Sequence, residues 1–421
     1  MNLLEDLRWR GLLAQSTDES ALLEALKKPI TLYVGFDPTA PSLHVGNLVV
    51  LLVLRRFQLA GHTPIALVGG ATGLVGDPSG KNEERTLNSS EIVEGWVNRI
   101  RTQVSAFLDF SIAKNQAIVV NNLDWTSPLS AIEFLRDIGK HFSVNQMLAK
   151  DSVSARLEVG GISYTEFSYQ VLQSYDFLEL FRRNNCTLQL GGSDQWGNIV
   201  AGLDLIRRVE GGSGHALTVP LLTKADGTKF GKTAGGSVWL DPEMTSPYAF
   251  FQYWLNTDDK DVINFLKVFS FKSHEEITEI ENLHNANPGL REAHRALARE
   301  LTSLVHTELT TNRVEAAAKA LFGQGDLAEL DEATLTSALA ELPRTTIAKD
   351  QPIPTWVDLL AATGVVDSKS AARRIVKEGG AYLNNEKISG EDFAPQKSDF
   401  LCGKYAILRK GKRDLAAVEL V

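Results

Sequence analysis

The sequence predicts an α/β architecture: a parallel-sheet body, then an all-helical segment, then a small α+β tail. Three observations predict it. In the first half, short apolar runs such as Ile30–Val34 and Ile65–Val68 alternate with helical patterns such as Asn47–Ala60, and strands alternating with helices build parallel sheets. From Pro247 to about Gly323 the strand signal vanishes, while Leu297, Leu301, Leu304 and Val305 recur at helical spacing. From residue 355 the pattern reads helix, helix, short strands.

Composition supports a folded, multi-domain chain. Its 421 residues are 43% hydrophobic and 23% charged, ordinary globular values that allow two or three domains. The longest clean apolar run, Leu48–Leu54, is seven residues long, and a spanning helix needs about 20, so no membrane association is expected. Met1–Asp6 carries two acids before the first base, unlike a secretory or transit signal. Cys186 and Cys402 are the only cysteines, too few for a disulfide framework or a Cys-rich metal site. A cytoplasmic location is the expectation.

The formal charge of −9 argues, taken alone, against a nucleic-acid partner. The average conceals a split. Residues 354–421 hold 11 Lys/Arg and 9 Asp/Glu, a net of +2, which leaves −11 for residues 1–353.

Strand Ile30–Val34 ends at Gly35, a Pro-rich turn follows, and a helix starts near His44 and stops at Gly61. Ligands of parallel sheets sit at the carboxyl ends of strands, and a helix N-terminus suits phosphate. Thr39 and His44 can donate to phosphate oxygens, Gly46 allows close backbone approach, and Asn47 reaches phosphate or ribose. A capped helix start with an incidental histidine is the alternative.

Strand Ile65–Val68 leads into a glycine-rich loop, Gly69–Arg85. A P-loop ending at Gly80-Lys81 needs Gly at 75 and Ser or Thr at 82, and the chain has Val75 and Asn82. What remains is Asp77, suited to an amino group, beside Lys81 and Arg85, suited to a polyphosphate. A solvated surface loop competes with that reading.

Strand candidates Ala117–Val120 and Thr187–Leu190 flank the helix that begins at Tyr164. Tyr169, Gln173 and Asp176 share one helical face, which lines a polar pocket or meets solvent. After Leu190 comes Gly-Gly-Ser-Asp194-Gln195. The Gly-x-Ser-x-Gly nucleophile elbow fails because Gln195 holds its last glycine position, so Gly192, Asp194 and Gln195 suit ribose and amino-acid contacts instead.

The strand-like Leu217–Leu222 leads to a second basic loop, Lys224–Ser237. Gly231-Lys232-Thr233 tempts a P-loop assignment, but the required first glycine falls on Asp226. A loop that brings Lys229, Lys232 and Thr233 to phosphates fits better, with a basic surface turn as the alternative.

Together these pieces resemble a class I aminoacyl-tRNA synthetase. Its two signatures, of the form HIGH and KMSKS, have counterparts in His44-Val45-Gly46-Asn47 and Lys229-Phe230-Gly231-Lys232-Thr233. The match extends to Tyr33-x-Gly-x-Asp37-Pro-Thr39, Tyr169-x-x-x-Gln173-x-x-Asp176 and Gly-Gly-Ser-Asp194-Gln195, which are similar to the bacterial tyrosyl-tRNA synthetase family over essentially the whole chain. The tail, with Arg373, Arg374 and Lys377 on its second helix, resembles an S4 RNA-binding domain.

The resemblance implies a Rossmann-like catalytic domain over 1–240, an α-helical anticodon-binding domain over 241–325, a linker over 326–353 and an S4-like domain over 354–421. It implies that L-tyrosine is bound by Tyr33 and Asp176 at the phenol, by Asp77, Tyr169 and Gln173 at the amino group, and by Gln195 near the carboxylate. ATP is expected at Asp37, His44, Gly46, Asn47, Gly192, Asp194 and Lys232. Catalysis is expected from Thr39, His44, Lys81, Arg85, Lys229, Lys232 and Thr233 acting on phosphates in the transition state. Arg373, Arg374 and Lys377 would meet tRNA(Tyr). ATP is expected as a substrate with Mg²⁺, with no tightly bound cofactor and no dedicated protein metal site. A homodimer is expected through the region around Ala131–Met147.

Asn47 departs from the last histidine of HIGH, and Phe230-Gly231 from the Met-Ser of KMSKS. The tryptophanyl relative should lack the Tyr33–Asp176 pair and the S4-like tail. A P-loop nucleotidase is weakened by both failed spacings. A non-catalytic RNA-binding protein is opposed by the intact Lys229, Lys232, Asp77, Asp176 and Gln195.

Overall fold

The structure, a computed structural model, describes residues 2–79, 88–150, 153–154, 157, 161–233, 236–340, 342–411 and 414–421. The chain forms two units, Met1–Asp241 with Asp258–Ala293, and Pro242–Thr257 with His294–Val421.

The first unit is built on six strands: β1 (Gln15–Ser16), β2 (Thr31–Phe36), β3 (Thr63–Val68), β4 (Ile118–Asn121), β5 (Cys186–Gly192) and β6 (His215–Val219). Their spatial order is β1-β6-β5-β2-β3-β4. Every pairing is parallel except β1 against β6. In β3, Pro64–Val68 are all buried, as expected of a strand covered on both faces. Helix Val45–Leu59 buries Leu48, Leu51, Leu52 and Phe57. Helix Tyr164–Asn184 contributes Phe177, Leu178 and Leu180 to a core that also holds Tyr33, Ile65 and Cys186. That helix ends at Asn185 in the left-handed region, φ 51°, a conformation Asn tolerates at a helix C-terminus.

Strands β2 to β5 depart from the sequence reading by one or two residues at their ends, and two further differences are larger. The sixth strand runs His215–Val219, not Leu217–Leu222, because Leu188–Gly192 pairs with it in that register. Lys232–Thr233 and Gly236–Ser237 form a small antiparallel ribbon, β7 and β8, inside the second basic loop.

The second unit begins with helix Pro247–Leu255 and includes helices Glu308–Leu321 and Glu332–Leu339. Its sheet holds β9 (Arg344–Ile347), β10 (Ala381–Leu383), β11 (Glu386–Lys387), β12 (Tyr405–Lys410) and β13 (Asp414–Leu420), in the order β11-β10-β12-β13-β9. Trp356, Leu360, Ala372, Leu408 and Val418 form its core. Strand β9 lies within the stretch read as a linker and pairs in parallel with β13. Among the described residues, no helix is long and apolar enough to cross a membrane.

Candidate active site

Because β5, β2, β3 and β4 are neighbours and parallel, their carboxyl ends open on one edge, and the order reverses about β2. That edge is where an α/β sheet places a ligand. β2 delivers Tyr33 and Asp37, β3 the glycine-rich loop, β4 Asn121 and Asn122, and β5 Gly191–Gln195.

Helix Tyr164–Asn184 completes the wall. Asp176, 2% exposed, accepts hydrogen bonds from Asn122 Nδ2 at 2.9 Å and Trp125 Nε1 at 2.8 Å. Burial lifts its carboxyl to about 7, although both donors pull the other way. Tyr33, 1% exposed, has a buried hydroxyl with no protein partner. Burial first, and the Asp176 charge second, hold its phenol well above the usual range. A buried hydroxyl requires a partner, so this pair can satisfy one further hydroxyl group.

Tyr169 Oη donates to Asp37 Oδ2 at 2.7 Å, and Thr72 Oγ1 to Asp37 Oδ1 at 2.6 Å. Burial and then the nearby Asp37 and Asp77 push the Tyr169 phenol well up. Gln195 Nε2 donates to Asp77 Oδ2 at 2.6 Å, and Asn198 Nδ2 bridges Gln173 Oε1 at 3.1 Å and Gln195 Oε1 at 3.4 Å. Tyr169, Gln173, Asp77 and Gln195 are thus tied into carboxylate-rich networks, suited to an ammonium group. The glycine loop must approach closely: a Cβ on Gly69 would stand 2.0 Å from Asp37 Oδ1.

His44 caps helix Val45–Leu59. Its Nδ1 accepts the N–H groups of Gly46 at 3.1 Å and Asn47 at 3.3 Å, while Asn47 Oδ1 accepts from His44 N at 3.1 Å. A Cβ on Gly46 would meet the His44 ring at 2.8 Å. Thr39 is exposed ahead of this helix.

The second basic loop is tied to the same helix start. Val45 N donates to Val238 O at 3.0 Å, Leu240 N to Leu43 O at 2.8 Å, and Val238 N to Gly231 O at 3.0 Å. His44 and Trp239 form an isolated antiparallel bridge. Lys229, Lys232 and Thr233 are exposed on this segment, and Asp194 is exposed beyond Gly192 at the end of β5. Lys81 and Arg85 lie outside the described residues.

In the second unit, Arg373, Arg374 and Lys377 are exposed on helix Lys369–Lys377. Glu391 sits 3.7 Å from Arg373 Nε and 3.0 Å from Lys377 Nζ, a neutralising partner the sequence did not reveal.

Asn122, Trp125, Thr72 and Asn198 were missed by sequence reasoning. One signal could have found Asn122: it follows β4, at the kind of strand end where the glycine-rich loop and Asp194-Gln195 were sought. Trp125 carries no comparable signal, since its indole N–H acts only because tertiary packing brings it to Asp176.

Comparisons with known proteins agree along the chain. Residues 25–323 match the family "tRNA synthetases class I (W and Y)", and residues 334–418 match the "Tyrosine--tRNA ligase SYY-like C-terminal domain". A tyrosine--tRNA ligase of Streptomyces coelicolor is 62% identical over 422 residues, covering 100% of this chain and 99% of the relative. One of Corynebacterium glutamicum is 56% identical, covering 100% of each. A C-terminally truncated mitochondrial tyrosyl-tRNA synthetase of Aspergillus nidulans superposes with a TM-score of 0.69 at 30% identity, covering 76% of this chain and 94% of that one. A tryptophanyl-tRNA synthetase of Encephalitozoon cuniculi, 15% identical with a TM-score of 0.52 over 73% of this chain and 87% of that one, shares the fold.

Proposed function

The chain belongs to the class I tRNA synthetases of the W and Y family and catalyses the tyrosine–tRNA ligase reaction, and from that premise we propose how its residues divide the work. A tyrosine carboxylate oxygen attacks the α-phosphorus of ATP, the bond to the bridging oxygen breaks, and pyrophosphate leaves with the electron pair. A hydroxyl at the tRNA 3′ end then attacks the tyrosyl carbonyl, and AMP leaves. Neither step needs a nucleophile from the enzyme, so the protein contributes positioning and charge stabilisation.

The observation that carries the residue assignment is the buried, unpartnered Tyr33 hydroxyl beside an Asp176 carboxylate held by two donors. A phenol hydroxyl inserted there donates to Asp176 and accepts from Tyr33. Phenylalanine would leave the Tyr33 hydroxyl unpaired and Asp176 short of one donor, and tyrosyl-tRNA synthetases rejecting phenylalanine are the standard example of this discrimination. Asp77, Tyr169 and Gln173 receive the α-ammonium, and Gln195 lies toward the carboxylate. Thr39, His44, Lys229, Lys232 and Thr233 meet the phosphates, as do Lys81 and Arg85. Asp194 and Gly192 approach the ribose, and Gly46 the nucleotide.

Asp37, Asp77 and Asp176 are each engaged by protein donors. That set fits an ammonium and a phenol rather than a caged hard cation, so Mg²⁺ enters on the ATP phosphates as part of the substrate. Arg373, Arg374 and Lys377 take tRNA phosphates. The exposed Ile132, Leu135 and Val144 support a homodimer through this stretch.

Tyrosine-dependent ATP–pyrophosphate exchange tests the assignment, with phenylalanine and tryptophan as controls. Exchange with tyrosine alone, reduced selectively by Asp176→Asn, is expected. Exchange with phenylalanine as fast as with tyrosine, or an undiminished tyrosine exchange in Asp176→Asn, would remove the phenol contact.

A further inference from the structure

Phe230 and Gly231 stand where the signature has Met and Ser, and the structure packs each against a different element. Gly231, at φ 78°, leaves only 2.9 Å between a would-be Cβ and Val45 Cγ2, in the first turn of the His44 helix. The Phe230 ring lies 4.9 Å edge-on from Phe265 and 5.5 Å from Phe269, and these two rings are 6.2 Å apart. Phe265 and Phe269 are one turn apart on helix Val262–Phe269 and both buried.

That helix is clamped at its carboxyl end. Arg10 donates to the carbonyls of Lys267 and Ser270, each at 3.1 Å, and of Lys272 at 2.8 Å. Arg56 donates to Ser270 O as well. Arg10 is 4% exposed and fixed by Asp6 through a 2.9 Å bond at Nε. A planar guanidinium on three carbonyls sets the position of the chain it holds.

We infer that Phe265, Phe269 and Arg10 are positioning residues for the activation step. The two rings seat Phe230, and so set where Lys229 and Lys232, on either side of the Phe230-Gly231 pair, stand relative to His44. Arg10 holds the seat. None of the three belongs to a signature motif. The effect is large because these ammonium groups act on charge that develops at one place, and a displacement of about 1 Å costs roughly 10²-fold in rate. The inference rests on the reading that Lys229 and Lys232 act at the phosphates.

The test uses the full-length protein and two readouts, the tyrosine Kd and the single-turnover rate of tyrosyl-adenylate formation. Phe230→Leu and Phe265→Leu should each slow adenylate formation about tenfold and leave the tyrosine Kd within about twofold. The double variant should be no slower than the slower single one, because both remove the same contact. Multiplying losses, or a Kd that weakens in step with the rate, would overturn the seat. Arg10→Lys, which keeps the charge and loses the fork, should show the same selective slowing. An unchanged rate in that folded variant would remove Arg10 from the role. Lys232→Met is measured alongside: an unslowed rate there refutes the reading of the lysines themselves, whatever the seat does.

Discussion

His44 and Asn47 cap one helix reciprocally: Asn47 N–H donates to His44 Nδ1 at 3.3 Å, and His44 N–H donates to Asn47 Oδ1 at 3.1 Å. Asparagine in place of the second histidine of the signature therefore has a structural use, as the N3 partner of a capping box. An accepting Nδ1 also leaves the neutral ring's proton on Nε2.

Asn47→Ala removes one acceptor and should lower stability by about 1 kcal/mol. Asn47→Asp keeps the acceptor and should keep the melting temperature, but its charge beside the phosphate site should raise the KM for ATP. Thermal melts and exchange kinetics on the two variants separate these effects. Equal loss of stability in both would contradict the cap.

The Asp176 carboxyl, lifted by burial to about 7, predicts a pH profile. As the carboxylate that accepts a phenol proton, it should make kcat/KM for tyrosine fall as pH drops through about 7. Trp125→Phe removes a donor that holds the value down, so the inflection should move upward. For stability the sign is opposite. A raised folded-state pKa favours the fold below the ordinary carboxylate value of about 4, and that contribution is lost as pH rises through about 7. Asp176→Asn should flatten the melting temperature across this window.

Gly231→Ser restores the commoner signature residue, and it should still impair the enzyme. The position is left-handed, and a Cβ there meets Val45 Cγ2 at 2.9 Å. Strain of about 1–3 kcal/mol, expressed in the activation barrier, corresponds to roughly 5- to 150-fold in the rate of adenylate formation. A serine variant as fast as the parent would show that the backbone at 231 relaxes freely.

In the tail, Glu391 pairs with Arg373 and Lys377 on an exposed surface. Glu391→Gln should tighten tRNA binding by freeing both cations. Lys377→Ala should weaken it and reduce the slope of log K against log salt by about 0.9. Filter binding over a salt series measures both changes.

Ile132, Leu135 and Val144 are 69%, 52% and 57% exposed. Replacing Ile132 and Leu135 with Asp should shift a homodimer toward monomer in sedimentation velocity. An unchanged sedimentation coefficient would move the interface elsewhere.

Much of this molecule is legible one segment at a time. β3 through β5 are apolar runs closed by Gly or Asn, and helix Tyr164–Asn184 begins where the pattern starts. The rule that ligands meet strand ends pointed to Asp77, Asp194 and Gln195, while Asp37 entered only with the family resemblance. What the pattern does not show is set by distant partners. Gln15–Ser16 is a strand only because Leu217–Thr218 runs beside it. Arg344–Ile347 reads as linker until Ala417–Leu420 pairs with it.

Sequence by itself determined the main helices and central strands, the family and the inventory of polar groups, because propensity, periodicity and motif spacing are local properties of the chain. The tertiary structure alone decided which groups meet. It joined Trp125 to Asp176, set Glu391 against the basic helix, and closed Gly231 on Val45. Ionisation, hydrogen bonding and steric fit depend on through-space neighbours and on exclusion of water, and these are fixed only when distant segments pack.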